Sequence, residues 1–345
     1  MARTILIDGG IGNRGMALLL VVSMIALLSV VIISFSRSMQ LAVAETSHFQ
    51  QSVLMESMAQ SGLDIGLAVL QQDASRSDYD SFPENWARLG EAPLDLGIGQ
   101  GAVSVLIIDL DGRFPVNSLV EMVAEGDNPP TGDSGMTPQQ ARNILLRLLQ
   151  SGLFEVEDET EARGIVESLT DWIDANDDEL DYGAEASYYN SLEKPVVPRN
   201  GPVDFLNELL QVKGISRDLL YGNSEKEPLI EYISVKNKSG KININTAPLA
   251  LIQALDERIS ADEIEGLDEF RRAEDNLEAL SDSSWFTDFL PGDIDGLDLQ
   301  GILSTQSNHF IIDSEARYQE RFMALQATVE RSSENEMRLV FLEVE

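Results

Sequence analysis

Arg14-Gly15-Met16-Ala17-Leu18-Leu19-Leu20 opens a long apolar stretch: from Met16 to Phe35, twenty residues carry no charge. At helical rise they span the ~30 Å hydrocarbon core of a bilayer, which predicts a transmembrane helix. Arg3 and Arg14 precede the stretch and Arg37 follows it, a charge bias that favours an inside N-terminus only slightly. A secretory signal places its small-residue cleavage site after the apolar core. Here the small residue, Gly15, comes before it. A cut between Gly15 and Met16 would leave the apolar helix on the mature protein. A plain signal anchor needs only the apolar stretch and basic flanks. The Gly15–Met16 junction is the extra feature.

Composition narrows the chemistry. The 345 residues suffice for two domains. The formal net charge of −35 repels nucleic acid and anionic surfaces. It also offers many carboxylates to a divalent cation or a basic partner. There is no cysteine, so thiol catalysis, disulfides and thiolate metal sites are excluded. His48 and His309 are the two histidines, too few for a histidine-rich zinc site. No nucleophile–base pair and no glycine-rich phosphate loop is present, so nothing marks the chain as an enzyme.

Outward from the apolar stretch, residues 36–72 contain no proline. Val53, Leu54, Met58, Ile65, Ala68 and Val69 recur at helical spacing, which predicts that the helix continues to about Gln72 with an amphipathic outer half. Gly62 and Gly66, four apart on one face, either admit a close-packed sheet or helix or are two tolerated glycines. Residues 73–100 are rich in turn formers. Ala102–Asp109 reads as a strand followed by an Asp111-Gly112 turn. Glu125–Pro138 reads as a loop and boundary. Thr137-Pro138 starts a helix through Ile144, Leu145, Leu148 and Leu149, and helices dominate to about residue 290. Phe310–Asp313, Phe322–Glu330 and Met337–Val344 read as antiparallel strands, with Ser332–Glu336 as a hairpin turn. A lone strand at 102–109 is marginal, so it is expected to pair with these C-terminal strands. A helical domain is then inserted within one α+β domain.

The sharpest motif runs from Asp171 to Glu185. With Asp174 as position one, Asn176 and Asp178 fall at three and five, the Leu180 carbonyl at seven and Glu185 at twelve. That is the ligand spacing of an EF-hand Ca²⁺ loop, in which alternate oxygens and a distant bidentate carboxylate fill a shell of six to eight. Glu179 stands where an EF-hand needs glycine, so the expectation is a calcium loop of another shape, with Asp171 as a further ligand. Thirteen acids face one Arg between Glu155 and Glu185. A cation would relieve their repulsion; a solvated acidic loop is the plainer reading of such a run.

A second motif, Lys241-Ile-Asn-Ile-Asn-Thr-Ala-Pro248, precedes a helix through Leu251, Ile252 and Leu255, with Thr246 as the expected N-cap. It resembles the start of the helix-hairpin-helix module of DNA-uptake proteins. Phe205–Gly214 reads as a helix ending in a hairpin glycine of the same kind. The expected second hairpin, Asp256–Ser260, has no glycine and carries two acids, so the module reads as a scaffold without nucleic-acid contact.

These segments together resemble the type II secretion minor pseudopilin K family over nearly the whole chain. The resemblance rests on Arg14–Leu20, Leu169–Asp174, Gly183–Glu185, Asn200-Gly201-Pro202 with Glu208–Gly214, and Ile242–Ala247. Leu20 stands where major pilins carry a glutamate, which fits the K type. The resemblance implies an α+β, type IV pilin-like fold: a long N-terminal helix packed on an antiparallel sheet, with a large all-α domain inserted between strands. It divides the chain into a leader (1–15), a transmembrane helix (16–35), its continuation (36–72), a first part of the pilin domain (73–125), the insertion (126–300) and the C-terminal strands (301–345). It implies bound calcium, cleavage by a prepilin peptidase with N-methylation of Met16, and a single-pass inner-membrane protein with a periplasmic C-terminal domain. It also implies a place at the pseudopilus tip with minor pseudopilins I and J. A membrane-anchored DNA-uptake protein and a type IV pilus minor pilin are the alternatives.

Overall fold

The computed structural model describes residues 14–95, 97, 101–121, 135–290, 299, 301–332 and 336–344. Most of the expected leader, most of the loop expected at 125–138 and the middle of the expected hairpin turn at 332–336 lie outside the described residues. The chain divides into two units, Met1–Ser57 and Met58–Glu345.

Helix α1 (Arg14–Ala74) contributes to both units. In the first, Met16 to Phe35 turns every large apolar side chain outward, and among the described residues this is the one helix long and apolar enough to cross a membrane. In the second, Met58, Ala59, Leu63, Leu70 and Ala74 are buried. They pack on a four-stranded antiparallel sheet ordered β1-β6-β7-β8. Its strands are β1 (Gly101–Asp109), β6 (His309–Tyr318), β7 (Arg321–Arg331) and β8 (Met337–Val344). Val105 faces Ser314, and Ser314 faces Leu325, so the alternating apolar positions fall on the helix side. The two glycines of α1 admit this sheet. A Cβ at Gly62 would lie 2.2 Å from Ser314 Oγ and 2.5 Å from Val103 Cγ1, and one at Gly66 would lie 2.7 Å from Ile312 Cγ2. Ser314 Oγ also donates to the Ala59 carbonyl at 2.8 Å.

Short α2 (Asn85–Arg88) precedes β1, and between β1 and β6 the chain forms α3 (Pro138–Leu149), α4 (Glu159–Ile173), α5 (Ala186–Asn190), α6 (Arg217–Tyr221), α7 (Leu249–Ala254) and α8 (Ala261–Arg272). The α3 start follows from its sequence: the Thr137 hydroxyl accepts from Gln140 N–H while the Gln140 side chain accepts from Thr137 N–H. Two short parallel pairs, which periodicity does not announce, fasten this region. They are β2 (Phe114–Pro115) with β3 (Ile233–Ser234), and β4 (Ile242–Asn243) with β5 (Leu303–Ser304). Its core begins at Phe114, ahead of the boundary expected at 126, and runs through Leu145, Phe154, Leu169, Trp172 and Ile252.

One local expectation is met in a tighter form and one is corrected. Phe205–Gly214 holds a 3₁₀ helix at Leu206–Gln211 rather than an α-helix, ending at Gly214 with φ +87°. Thr246 is not the N-cap of α7. Pro248 occupies that position in extended geometry, and the Thr246 hydroxyl is drawn away to Asp109 Oδ2 at 2.5 Å.

Candidate metal site

α4 ends by delivering Asp171 to its last turn and Asp174 to its C-cap. The loop then returns Glu185 as the residue before α5. One oxygen from each of Asp171, Asp174 and Glu185 lies within 4.8 Å of the other two. Asp171 is 0 % exposed and Glu185 3 %. Asp171 Oδ2 accepts from Leu180 N–H at 3.2 Å and Ala184 N–H at 2.8 Å. By contrast Asp171 Oδ1 and both carboxyl oxygens of Glu185 are buried without a hydrogen-bond partner. Leaving such atoms unpaired costs about 1–3 kcal/mol each, more when charged. Burial pushes the Glu185 carboxyl up to about 7, and the charges of Asp171 and Asp174 add to the shift. Burial likewise raises Asp171 to about 6, against the opposing backbone hydrogen bonds of Leu180 and Ala184. Orphaned, hard carboxylate oxygens gathered at one point fit a calcium-type cation, which takes oxygen ligands in flexible geometry.

The other expected ligands sit differently. Asp174 Oδ1 accepts from Asn176 N–H at 3.2 Å, and Asn176 Oδ1 from Asp178 N–H at 2.7 Å, so these side chains shape the loop. Asp178 is exposed and outside the three-carboxylate group. The Leu180 carbonyl accepts from Gly183 N–H at 3.0 Å. Gly183 is fixed by close approach: a Cβ there would lie 1.9 Å from Asp171 Oδ2. Gly15 and Met16 lie in the first turns of α1, with Met16 exposed.

Sequence reasoning missed a second polar centre, buried where α1, the sheet and the inserted region meet. Arg331 of β7 makes a two-pronged pair with Asp80 at 2.9 and 2.7 Å. Asp109 Oδ2, at the end of β1, accepts from Thr246 Oγ1, Ser307 Oγ at 2.6 Å and Asn243 Nδ2 at 3.1 Å. Asn245 reaches the Asp80 and Leu280 carbonyls and accepts from Trp285 Nε1 at 3.0 Å. The sequence signal was the Ile-Asn-Ile-Asn alternation, whose asparagines latch the insertion to the sheet. Gly112 permits the latch, since a Cβ there would lie 2.5 Å from Thr246 Oγ1. At this end the motif's asparagines bond within the fold. In the expected second hairpin, Asp256 Oδ1 accepts from its near neighbour Arg258, from the N–H at 3.0 Å and Nε at 2.8 Å.

A family profile described as type II secretion system protein K matches residues 112–221, a stretch that contains the whole acidic site. Curated relatives agree. The type II secretion system protein K of Aeromonas hydrophila is 28 % identical over 309 residues, 86 % of each chain. The chain is thus similar to the type II secretion system protein K family in sequence over most of its length. A putative protein K of Escherichia coli K12 is 28 % identical over 228 residues, covering 65 % of this chain and 62 % of that one. Among solved structures, a chain of the GspK–GspI–GspJ complex from enterotoxigenic Escherichia coli superposes with a TM-score of 0.61. It covers 88 % of this chain and 99 % of the other at 20 % identity, which speaks to a shared pilin-like fold. These likenesses support the role of a minor pseudopilin in protein secretion.

Proposed function

We propose that this pseudopilin is a non-enzymatic cap at the tip of the type II secretion pseudopilus, assembled with minor pseudopilins I and J. The observation that carries this reading is the packing of Gly62 and Gly66 on the sheet, a pilin-like core, combined with a large insertion between β1 and β6. A body of that size suits the last subunit of a stack, above which nothing needs to be added. Leu20, in place of the glutamate of major pilins, supports the same position. The GspK chain with which this fold compares was solved together with GspI and GspJ.

Residues 16–35 would anchor the chain in the inner membrane, with Met58–Glu345 in the periplasm. A prepilin peptidase would cut between Gly15 and Met16 and methylate Met16. Calcium would be held by Asp171, Asp174 and Glu185, supplying charge neutralisation and loop closure. Mass measurement of the mature N-terminal peptide, after co-expression with a prepilin peptidase, tests the processing. A peptide beginning at methylated Met16 is expected, and an intact Met1 or a cut beyond Phe35 would refute the assignment. Co-purification of the full chain with subunits I and J of the same system tests the tip complex.

A further inference from the structure

The 3₁₀ turn at Leu206–Gln211 ends at Gly214, whose positive φ and contact with Ile165 of α4 (3.0 Å from a built Cβ) press the hairpin onto the helix that carries Asp171. Lys213, one residue earlier, is thereby brought against the acidic loop. Its Nζ donates to the Gly183 carbonyl at 2.7 Å and the Tyr182 carbonyl at 3.2 Å, and lies 5.1 Å from the centre of the Tyr188 ring. Its own N–H donates to the Tyr189 hydroxyl at 3.2 Å. In a loop so rich in acids, a lysine that spends its donors on carbonyls leaves the carboxylates free.

The consequence follows from peptide planarity. The Gly183 carbonyl and the Ala184 N–H belong to one rigid plane and point in opposite directions. Lys213 holds the first, and Asp171 Oδ2 accepts the second at 2.8 Å. Fixing the plane fixes Oδ2 and with it the whole carboxylate, which brings one oxygen within 4.8 Å of Asp174 and Glu185 and whose Oδ1 is left buried without a partner. Gly183 is the residue that lets the plane approach so closely.

We propose that Lys213 is the positioning residue of this cation site: its ammonium clamps the Gly183–Ala184 peptide so that Asp171 presents Oδ1 to a divalent cation. The proposal rests on the calcium reading above for its ligand, while the clamp itself exists with or without the ion. A lysine in this place preforms the loop, so less ordering remains to be done when the cation binds.

The test uses the full-length protein in detergent and two variants, Lys213→Met, which keeps the stem and removes the ammonium, and Lys213→Arg, which keeps the charge. Calcium chloride alone is titrated calorimetrically, and amide exchange at Leu180 and Ala184 is followed in chelator. Lys213→Met is expected to weaken calcium binding at least tenfold and to speed exchange at both amides at least tenfold. Lys213→Arg is expected to recover most of both. Wild-type affinity and unchanged exchange in Lys213→Met would overturn the clamp. A uniform loss of thermal stability with unchanged calcium affinity would also overturn it, because that is mere packing. Absence of calcium binding in the wild type would refute the cation reading separately. The exchange measurement then judges the clamp by itself.

Discussion

At the scale of single residues, the buried carboxylates set how stability depends on pH. Burial, then the charges of Glu84 and Asp80, raises Asp73 to about 8, although Arg331 Nη2 lies 3.7 Å away and opposes the shift. Burial, then Asp111, raises Asp109 to about 7. Both values exceed those of an unfolded carboxylate, so the folded chain keeps protons that the unfolded chain releases. The stability they contribute is fully present below about pH 4 and is lost as pH rises through about 7 to 8. Asp73→Asn, neutral at every pH, is expected to flatten the upper part of that decline. Its melting temperature should exceed wild type at pH 8 and converge on it only below about pH 4. The gain should be ~2–4 °C for each kcal/mol recovered in a chain of this size. An equal loss at both pH values would show that the side chain serves only as packing. Arg331 offers the complementary case. Arg331→Met strands Asp80, which is 0 % exposed, and is expected to cost about 3–5 kcal/mol in chemical denaturation.

At the scale of elements, the decisive contact is α1 on the sheet, and it depends on what Gly62 lacks. Gly62→Val places methyl groups where Ser314 Oγ and Val103 Cγ1 already stand, so the helix must lift or the strands must shift. Overpacking of this kind costs about 1–3 kcal/mol, occasionally more. Gly62→Val is therefore expected to lower the denaturation midpoint clearly, whereas Ser61→Val, beside it on the helix, serves as the milder control. The same contact explains why the fold was readable. Residues 58–74 repeat at helical period, β1 and the three C-terminal strands repeat at period two, and both patterns are local. The latch was not readable, because Asp80, Asp109, Asn243, Ser307 and Arg331 are far apart in sequence and each alone looks like an ordinary polar residue. The carboxylate cluster was half readable. The sequence singled out Asp171, Asp174 and Glu185, which the fold brings together, but also Asn176, which braces the loop instead, and Asp178, which stays exposed outside the group. Lys213 was seen only as the neighbour of a hairpin glycine. Its contact with Gly183 joins two loops that no periodicity connects.

At the scale of the whole molecule, a net charge of −35 means that the chain repels itself. None of that charge lies between Met16 and Phe35, so it must be carried elsewhere, and thirteen acids fall between Glu155 and Glu185 alone. Two effects relieve such repulsion and they are separable. Monovalent salt screens all exposed charges and shortens the reach of each to about 8–10 Å near physiological strength. A bound cation acts only where ligands converge. The full chain in detergent is therefore expected to gain stability gradually with sodium chloride. With calcium chloride it should gain more, at matched ionic strength, and the gain should follow a binding curve. At a hundredfold excess over the dissociation constant the gain is about 2.7 kcal/mol. The variant Asp171→Asn with Glu185→Gln removes two charges and the unpaired acceptors' demand for a cation. It should keep the sodium response, lose the saturable calcium response, and in chelator be no less stable than wild type. Magnesium should help less than calcium, because it holds its waters and demands octahedral geometry. If sodium and calcium act alike at equal ionic strength, the acidic loop is a solvated charge cluster, and its convergent oxygens serve the loop's own shape.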